Sequence, residues 1–360
     1  MADTLARTGL TPQQWDDEFF MEYVRESRFK RYMGTTENSI IQLKEDLTRK
    51  PGDKVIFANV RKLSNDGVTG NTVLEGNEEE LDSRSMAVTV NPLRNAVVVT
   101  DWDEQKSAID LMNAGRGALK LWAMEKMRDG IINALKSING TAYASAAEAT
   151  KDAWLVDNAD RVLFGALRSN GSSLDHSTSL ANIDNTNDKL TPAVVSLAKR
   201  MAQNASPAIK PVRVNGDEEW YVMYCNSLSF RDFTESAAYQ QARRDALARG
   251  EDNPLFTGGS AIWDGVILRE IPELGVISGV GAGAIDVGFN FLCGAQALGV
   301  AWAQRTKSTT NVRDYGFRHG VGVQEIRGIE KLLFGKGTGD TDDLVQHGVV
   351  TVYTSAVADA

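Results

Sequence analysis

The sequence predicts an α+β fold, and three features carry that reading. Strands and helices are interleaved without regular βαβ alternation. Two β-branched-rich runs, Lys54–Arg61 and Ser85–Val90 (resuming at Ala96–Val99), are bounded by turn residues and read as a long two-stranded arm. Next, a stripe of Met112, Gly115, Leu119 and Trp122, continued by Met124, Met127, Ile131, Leu135 and Ile138, predicts one helix from Asp101 or Asp103 to Ser137. Such a helix would be about 50 Å long. A hairpin with one apolar face is marginal alone in water. The arm therefore needs a bed, expected to be another copy of the chain.

The 360 residues leave room for about two domains. A hydrophobic share of 42% with 24% charged residues is ordinary for globular proteins, so a sizeable core is expected. The net charge of −9 and a pI near 5.1 argue against a tight grip on phosphate backbones, which a basic face normally supplies. Two cysteines, Cys225 and Cys293, make neither a disulfide framework nor a thiolate zinc site, and are expected as buried thiols. The first residues, Met1–Arg7, lack the apolar run of a signal peptide. Val276–Ala303 is nearly free of charge, but its glycines, Asp286, Asn290 and Gln296 oppose a membrane span.

Thr11-Pro12-Gln13-Gln14 opens a first helix, with Thr11 and Gln14 as a capping box and Pro12 at the first helical position. Trp15, Phe19 and Tyr23 share one face of it, and Phe29 and Tyr32 follow before Gly34. So many aromatics need a docking surface on the body or on a neighbour. Trp15, Phe19, Phe29 and Tyr32 are therefore candidate subunit-interface residues.

The arm's tip, Ser64–Asp82, carries three glycines and the carboxylates Glu75, Glu78, Glu79, Glu80 and Asp82. Their spacing does not match an EF-hand loop, so a solvated or partner-facing tip is expected. Glu75, Glu78, Glu79 and Glu80 complete the candidate interface set.

Further on, Asn139-Gly140 ends the long helix. A short apolar helix is expected near Ala159–Leu167, another from Thr191-Pro192, and a third over Thr234–Arg249. Pro211–Val214 and Trp220–Tyr224 flank Asn215-Gly216 as a hairpin. Leu292–Gln304 reads as a small-residue helix, and Val266–Leu268, Val321–Ile326 and Val349–Tyr353 as strands.

Catalytic motifs come up short. His176, His319 and His347 have no partner at metal-binding spacing and read as loop or turn histidines. Gly279–Ala284 fits a loose dinucleotide pattern, yet alternating residues follow it, which favours a glycine-rich turn before a strand. Gly335-Lys336-Gly337-Thr338 is not a P-loop, and Gly258-Gly259-Ser260-Ala261-Ile262 falls one glycine short of a nucleophile elbow. No catalytic residue, metal ligand or cofactor site is assigned.

Six stretches, in order along nearly the whole chain, carry a resemblance. They are Phe20–Gly34 (FMEYVRESRFKRYMG), Gly70–Glu79 (GNTVLEGNEE), Asn253–Gly258 (NPLFTG), Ile262–Val266 (IWDGV), Gly294–Leu298 (GAQAL) and Asp314-Tyr315-Gly316. Together they resemble the major capsid proteins of tailed bacteriophages, nearest the N4-like branch. The resemblance implies the fold shared by tailed-phage and herpesvirus capsids. Its parts would be an N-terminal arm (1–50), an extended β-loop (51–100), a peripheral domain with a long spine helix (101–190), an axial domain (191–305) and a return segment of the peripheral domain (306–360).

The function implied is a non-enzymatic shell protein. It would self-assemble into the hexamers and pentamers of an icosahedral head enclosing double-stranded DNA, in a virion built in the bacterial cytoplasm. Portal, scaffolding and decoration proteins are implied partners, with weak DNA contact and no membrane. Scaffolding would come from a separate protein or a segment outside this sequence. Lysine–asparagine cross-links, known in part of the family, are not carried over, because no motif pairs Lys54 or Lys62 with an asparagine. An encapsulin-like compartment is the alternative within the same fold, and a cytosolic nucleotide-binding enzyme the alternative outside it.

Overall fold

The computed structural model describes residues 29–45, 47, 52–63, 65–107, 110–171, 173–214, 218–247 and 261–358. Trp15, Phe19, the capping box at Thr11, the Asn215-Gly216 turn and the Asn253–Gly258 motif lie outside them. The strands begin with β1 (Met33–Gly34), β2 (Ile41–Lys44), β3 (Lys54–Val60), β4 (Ser83–Thr89) and β5 (Asn91–Thr100). Two helices follow, α1 (Asp101–Lys106) and α2 (Leu111–Lys136). Next come α3 (Glu148–Asp157), β6 (Val162–Phe164), α4 (His176–Ala181), α5 (Pro192–Asn204), β7 (Val212–Val214), β8 (Glu218–Cys225), α6 (Ser227–Glu235) and α7 (Ala237–Leu247). The remainder is strand-rich: β9 (Ala261–Trp263), β10 (Val266–Glu270), β11 (Val276–Ile277), β12 (Val287–Cys293), β13 (Leu298–Arg313), β14 (Arg318–Lys331), β15 (Leu333–Gly335), β16 (Leu344–Gln346) and β17 (Val349–Ser355).

Two sheets organise these elements. The first runs β1-β2-β13-β14-β5, with β13, β14 and β5 antiparallel and far longer than an average strand. The second has the order β6-β17-β12-β8-β10-β9, with β11 and β7 at its margins. Its central strands are buried residue after residue, because apolar clusters cover both faces. Val222, Tyr224, Phe289, Phe291 and Tyr353 face the cluster shared with α2, whereas Tyr221, Met223, Leu292, Val350 and Val352 face α5. The last long strand, β17, thus sits inside the second sheet, between β6 and β12.

The helix α2 lies along β14 and β5. Leu119, Ala123, Met127, Ile131 and Leu135 are buried under it, and Gly115 lets it approach Val97. Its last turn receives an uncommon cap. The fully buried Lys331 ammonium donates to the Leu135 carbonyl at 2.9 Å, placing a cation at the negative end of the helix dipole. Burial pushes that ammonium's pKa down to about 7.

Four expectations need correction. The helix from Asp101 to Ser137 is two helices, because Ser107 is extended and Asp110 starts a new one by accepting from the Asn113 amide. Thr100 caps the first, accepting from the Asp103 amide. The long helix is therefore 26 residues, about 39 Å. The return strand is likewise divided: β4 pairs with β3, whereas β5 leaves the hairpin and pairs with β14.

Ala159–Leu167 holds the strand β6 instead of a helix, because its Val162, Leu163 and Phe164 fill the open edge of β17. Finally, Leu292–Gln304 is the end of β12, a turn, and the start of β13. There Leu298–Trp302 are all buried, and a doubly covered strand has no period to separate it from a buried helix. The Gly279–Ala284 turn, the hairpin partners β7 and β8, the helix after Thr191 and the strands at Val266, Val321 and Val349 are found as expected.

Candidate assembly surfaces

The arm has two parts with opposite environments. In its root, β3 and β4, the first strand alternates: Val55 and Phe57 are buried, while Ile56 and Val60 are exposed. Val55, Phe57, Val88 and Val90 pack on Ala301, Leu332 and Phe334 of the same chain. Two glycines make this approach possible. A Cβ on Gly299 would stand 2.9 Å from the Phe57 ring, and one on Gly328 only 2.2 Å from the Thr89 carbonyl oxygen. Lys44 donates to the Ile56 carbonyl at 2.9 Å and lies over the Phe57 ring.

Farther out, the hairpin is tied to the loop after β15. Arg61 donates to the Lys336 carbonyl at 2.7 Å and Arg84 to the Gly337 carbonyl at 2.8 Å. Both guanidiniums pair with Asp82. Ser85 donates its hydroxyl and amide to Asp340, and these bonds hold that carboxyl below its ordinary pKa. The expectation that the arm finds its bed only on a neighbour is thus wrong for the root, whose bed is its own sheet.

Beyond Arg61 the contacts change character. Among the described residues the tip carries hydrogen bonds of its own: Asn65 N–H donates to Glu79, Gly76 N–H to Glu78, and the Asn77 side chain to the Val73 carbonyl. Gly76, at φ 86°, takes the left-handed corner of this turn. Leu63, Val73, Leu74 and Leu81 are 57–69% exposed, and Glu75, Glu78 and Glu80 also face solvent. Apolar side chains raised on a charged, self-bonded loop suit a surface covered by a partner.

Phe29 and Tyr32 are placed differently from the interface assignment. Phe29 is fully buried, edge-on to Tyr224 with centroids 5.1 Å apart. Tyr32 also meets Tyr224 edge-on, and its hydroxyl accepts from Arg269 Nε at 2.9 Å. Both dock the leading segment onto its own chain's second sheet, Phe29 wholly and Tyr32 in part. The body was the correct one of the two surfaces that their aromatic character left open.

The histidines are not loop residues of one kind. His176 opens α4 inside an aromatic cage of Tyr143, Trp154, Phe164 and Tyr353, with Nδ1 3.2 Å from Glu148. His347 packs edge-on against Phe334, its N–H donating to the Leu332 carbonyl. Burial, with help from Arg161 and Lys210, pushes its pKa down to about 4. His319 lies in β14, 3.0 Å from Asp101. Both cysteines are buried as expected, and burial pushes both thiols up. Among the described residues no group of three or more His, Cys, Asp or Glu is arranged to hold a metal ion, and no helix is long and apolar enough to cross a membrane.

Known proteins place these surfaces in context. A family model described as phage capsid protein matches residues 6–358. The major capsid protein of Pseudomonas phage KPP25 is 27% identical over 361 residues, covering 95% of this chain and 94% of that protein. Among solved structures, the capsid of cyanophage Pam1 is 36% identical over the whole of both chains, with a TM-score of 0.82. The capsid of Ralstonia phage GP4 is 25% identical, with a TM-score of 0.74 over 93% of this chain and 92% of that one. A docked hairpin root, an outlying tip and a long helix on a long-stranded sheet are the parts of a shell subunit, and the chain belongs to the phage capsid protein family as a structural major capsid protein of the virion.

Proposed function

We propose that this chain assembles into hexamers and pentamers through the tip of its extended loop, residues 62–82, which reaches over the body of the adjacent subunit. The tip carries the reading: four exposed large apolar residues ride on a loop that carries hydrogen bonds of its own. Covering them would remove apolar surface from water at about 25 cal/mol per Å². Glu75, Glu78, Glu79 and Glu80 would set the register of the contact more than its affinity. Segments 1–50, 51–100, 101–190, 191–305 and 306–360 serve as arm, loop, peripheral domain, axial domain and peripheral return. The β17 strand in the return segment and β6 in the peripheral segment join the sheet that holds the axial strands, so the segments are interlocked.

The shell encloses double-stranded DNA and takes portal, scaffolding and decoration proteins as partners. A net charge of −9 keeps its grip on the packaged duplex weak. The protein performs no catalysis in this role, in keeping with a structural family. Neither an encapsulin-like compartment nor a nucleotide-binding enzyme is favoured by any observation. Electron microscopy of the expressed chain, beside a variant with Glu78, Glu79 and Glu80 changed to lysine, tests the proposal. Shells or capsomers from the native chain and a clear loss from the variant are expected. Normal particles from the variant would remove the tip from the assembly mechanism.

A further inference from the structure

The outer strands of the two large sheets differ in length. At the margins β1, β6 and β9 have only two or three residues, and so little backbone to offer another chain. The remaining margin, β5, runs for 10 residues. Among the described residues β14 is its one ladder partner, so its other side is open. An open strand of this length normally carries charge, proline or a bulge as protection. Here the register with β14 is unbroken, and Pro92 and Arg94 stand only in the first half. Asn95–Thr100 (NAVVVT) is uncharged and rich in β-branched residues, a segment strongly disposed to pair.

One hydrogen bond sets the phase of this strand. The Asp101 N–H donates to the Phe317 carbonyl at 3.0 Å, one step beyond the Thr100–Arg318 pair of the ladder. In an antiparallel ladder alternate residues turn their backbone groups to the same side. Val99, Val97 and Asn95 therefore bond β14, whereas Thr100, Val98, Ala96 and Arg94 face outward. Pro92 has the outward phase too, where its missing N–H removes no ladder bond. The outward Ala96 N–H is taken by the side chain of Asn95, at 2.9 Å. Side chains alternate in step: Val97 meets Gly115 of α2 and Val99 is buried, whereas Val98 is 62% exposed. Charge changes sign along the edge. Arg94 is exposed in the first half, and Asp101, Asp103 and Glu104 fill the first turn of α1 directly after Thr100.

We propose that β5 pairs antiparallel with β5 of a second copy across a twofold axis, making one continuous sheet from two subunits. Outward residues must meet outward residues, which admits a register with Val97 on the axis. That register sets Ala96 against Val98 of the second copy, so each exposed valine is covered. It also sets Arg94 against Thr100 of the second copy, beside the acidic first turn of its α1. A strand basic at one end and acidic at the other complements its own reverse, and this selects a second copy as the occupant. Backbone bonds supply affinity, and the side chains fix register. A contact between identical patches makes pairs and closes no ring. It therefore joins subunits of neighbouring capsomers. This goes beyond the capsomer-forming role proposed for the tip, and it uses none of the tip's residues.

Two measurements on the full-length chain test this. Val98→Pro removes an outward N–H and leaves the ladder to β14 intact, as Pro92 already does. The subunit melt should stay within about 2 °C of the native chain's. Capsomers should still form. Two backbone bonds are lost at each paired edge, so the yield of closed shells should fall about tenfold. Cysteines read the register. Ala96→Cys and Val98→Cys chains, co-expressed and air-oxidised, should form an intersubunit disulfide, because facing Cα atoms in this register are about 5.5 Å apart. Neither variant alone should link, since its cysteine faces a residue without a thiol and the native Cys225 and Cys293 are buried. The mixed link, with loss of shells from Val98→Pro, supports the paired edge. Normal shells from Val98→Pro overturn it. Loss of shells without the 96–98 link also overturns it and gives the edge to a different strand. Should Val98→Pro melt early, the cysteine result alone decides. The tip's role is judged separately, by capsomer loss in the variant with Glu78, Glu79 and Glu80 changed to lysine.

Discussion

The root and the tip of the extended loop belong to one hairpin, yet they obey different rules. At the root Val55, Phe57 and Val88 are buried against the chain's own sheet, and glycines at positions 299 and 328 leave room for it. At the tip the apolar residues point to solvent, and the hydrogen bonds are spent on the turn itself. The root is therefore part of folding, and the tip is the part proposed to act in assembly. A hairpin too weak to stand alone is anchored at its base, so that its end is presented in a defined direction before any partner arrives. That arrangement lowers the ordering entropy lost on association.

The largest effect expected is at the root. Phe57→Ala removes a buried ring from the contact with Gly299, Leu332 and Phe334 and should destabilise the subunit by about 3–5 kcal/mol in urea unfolding. A loss below about 1 kcal/mol would mean that the root is not a packed part of the fold. Acid should act at the same place. His347, against Phe334, stays neutral in the fold down to about pH 4, whereas the unfolded chain takes up its proton near 6.5. The unfolded state then binds more protons between these values, so stability is full above pH 6.5 and declines as pH falls toward 4, by up to about 3 kcal/mol. In His347→Phe the slope of the urea midpoint against pH should flatten in this window; an unchanged slope would assign the acid sensitivity to other groups.

A smaller effect is expected from Gly328→Ala, whose Cβ would press on the Thr89 carbonyl oxygen. The hairpin must lift or β14 must shift, at about 1–3 kcal/mol. Hydrogen exchange should rise across β3 and β4 while α5 stays protected, and uniform exchange would contradict a locally docked root. The smallest effect on the isolated subunit belongs to the tip. Leu74→Ser with Leu81→Ser should change its stability by less than about 0.5 kcal/mol, as exposed substitutions do, yet reduce particle yield. Destabilisation of the free subunit by this pair would erase the distinction between root and tip.

The elements on either side of this division, though not the root's bed, were legible in residue types. The alternation of Lys54–Val60, the acidic tip and the apolar stripe through Leu119 and Met127 all correspond to observed elements. The break between Ser107 and Asp110 was missed because the apolar stripe begins only at Met112 and says nothing about the residues before it; the local caps at Thr100 and Asp110 reveal the interruption. The strand at Leu298–Trp302 was hidden by uniform burial. The gathering of basic residues on one face of the long sheet could not be read at all. Arg94, Arg313 and Arg318 lie on three separate strands, and only the pairing of β5, β14 and β13 gathers them.

By itself the sequence determined the α+β class, the hairpin and an apolar-striped helix, because short-range periodicity and turn chemistry are written locally; the family entered through the resemblance of six stretches. The tertiary structure decided where the hairpin's root lies, that Phe29 and Tyr32 face inward, and which charges share a face. Those outcomes depend on contacts between residues far apart in the chain, and an aromatic or an arginine carries no mark of which distant surface will meet it.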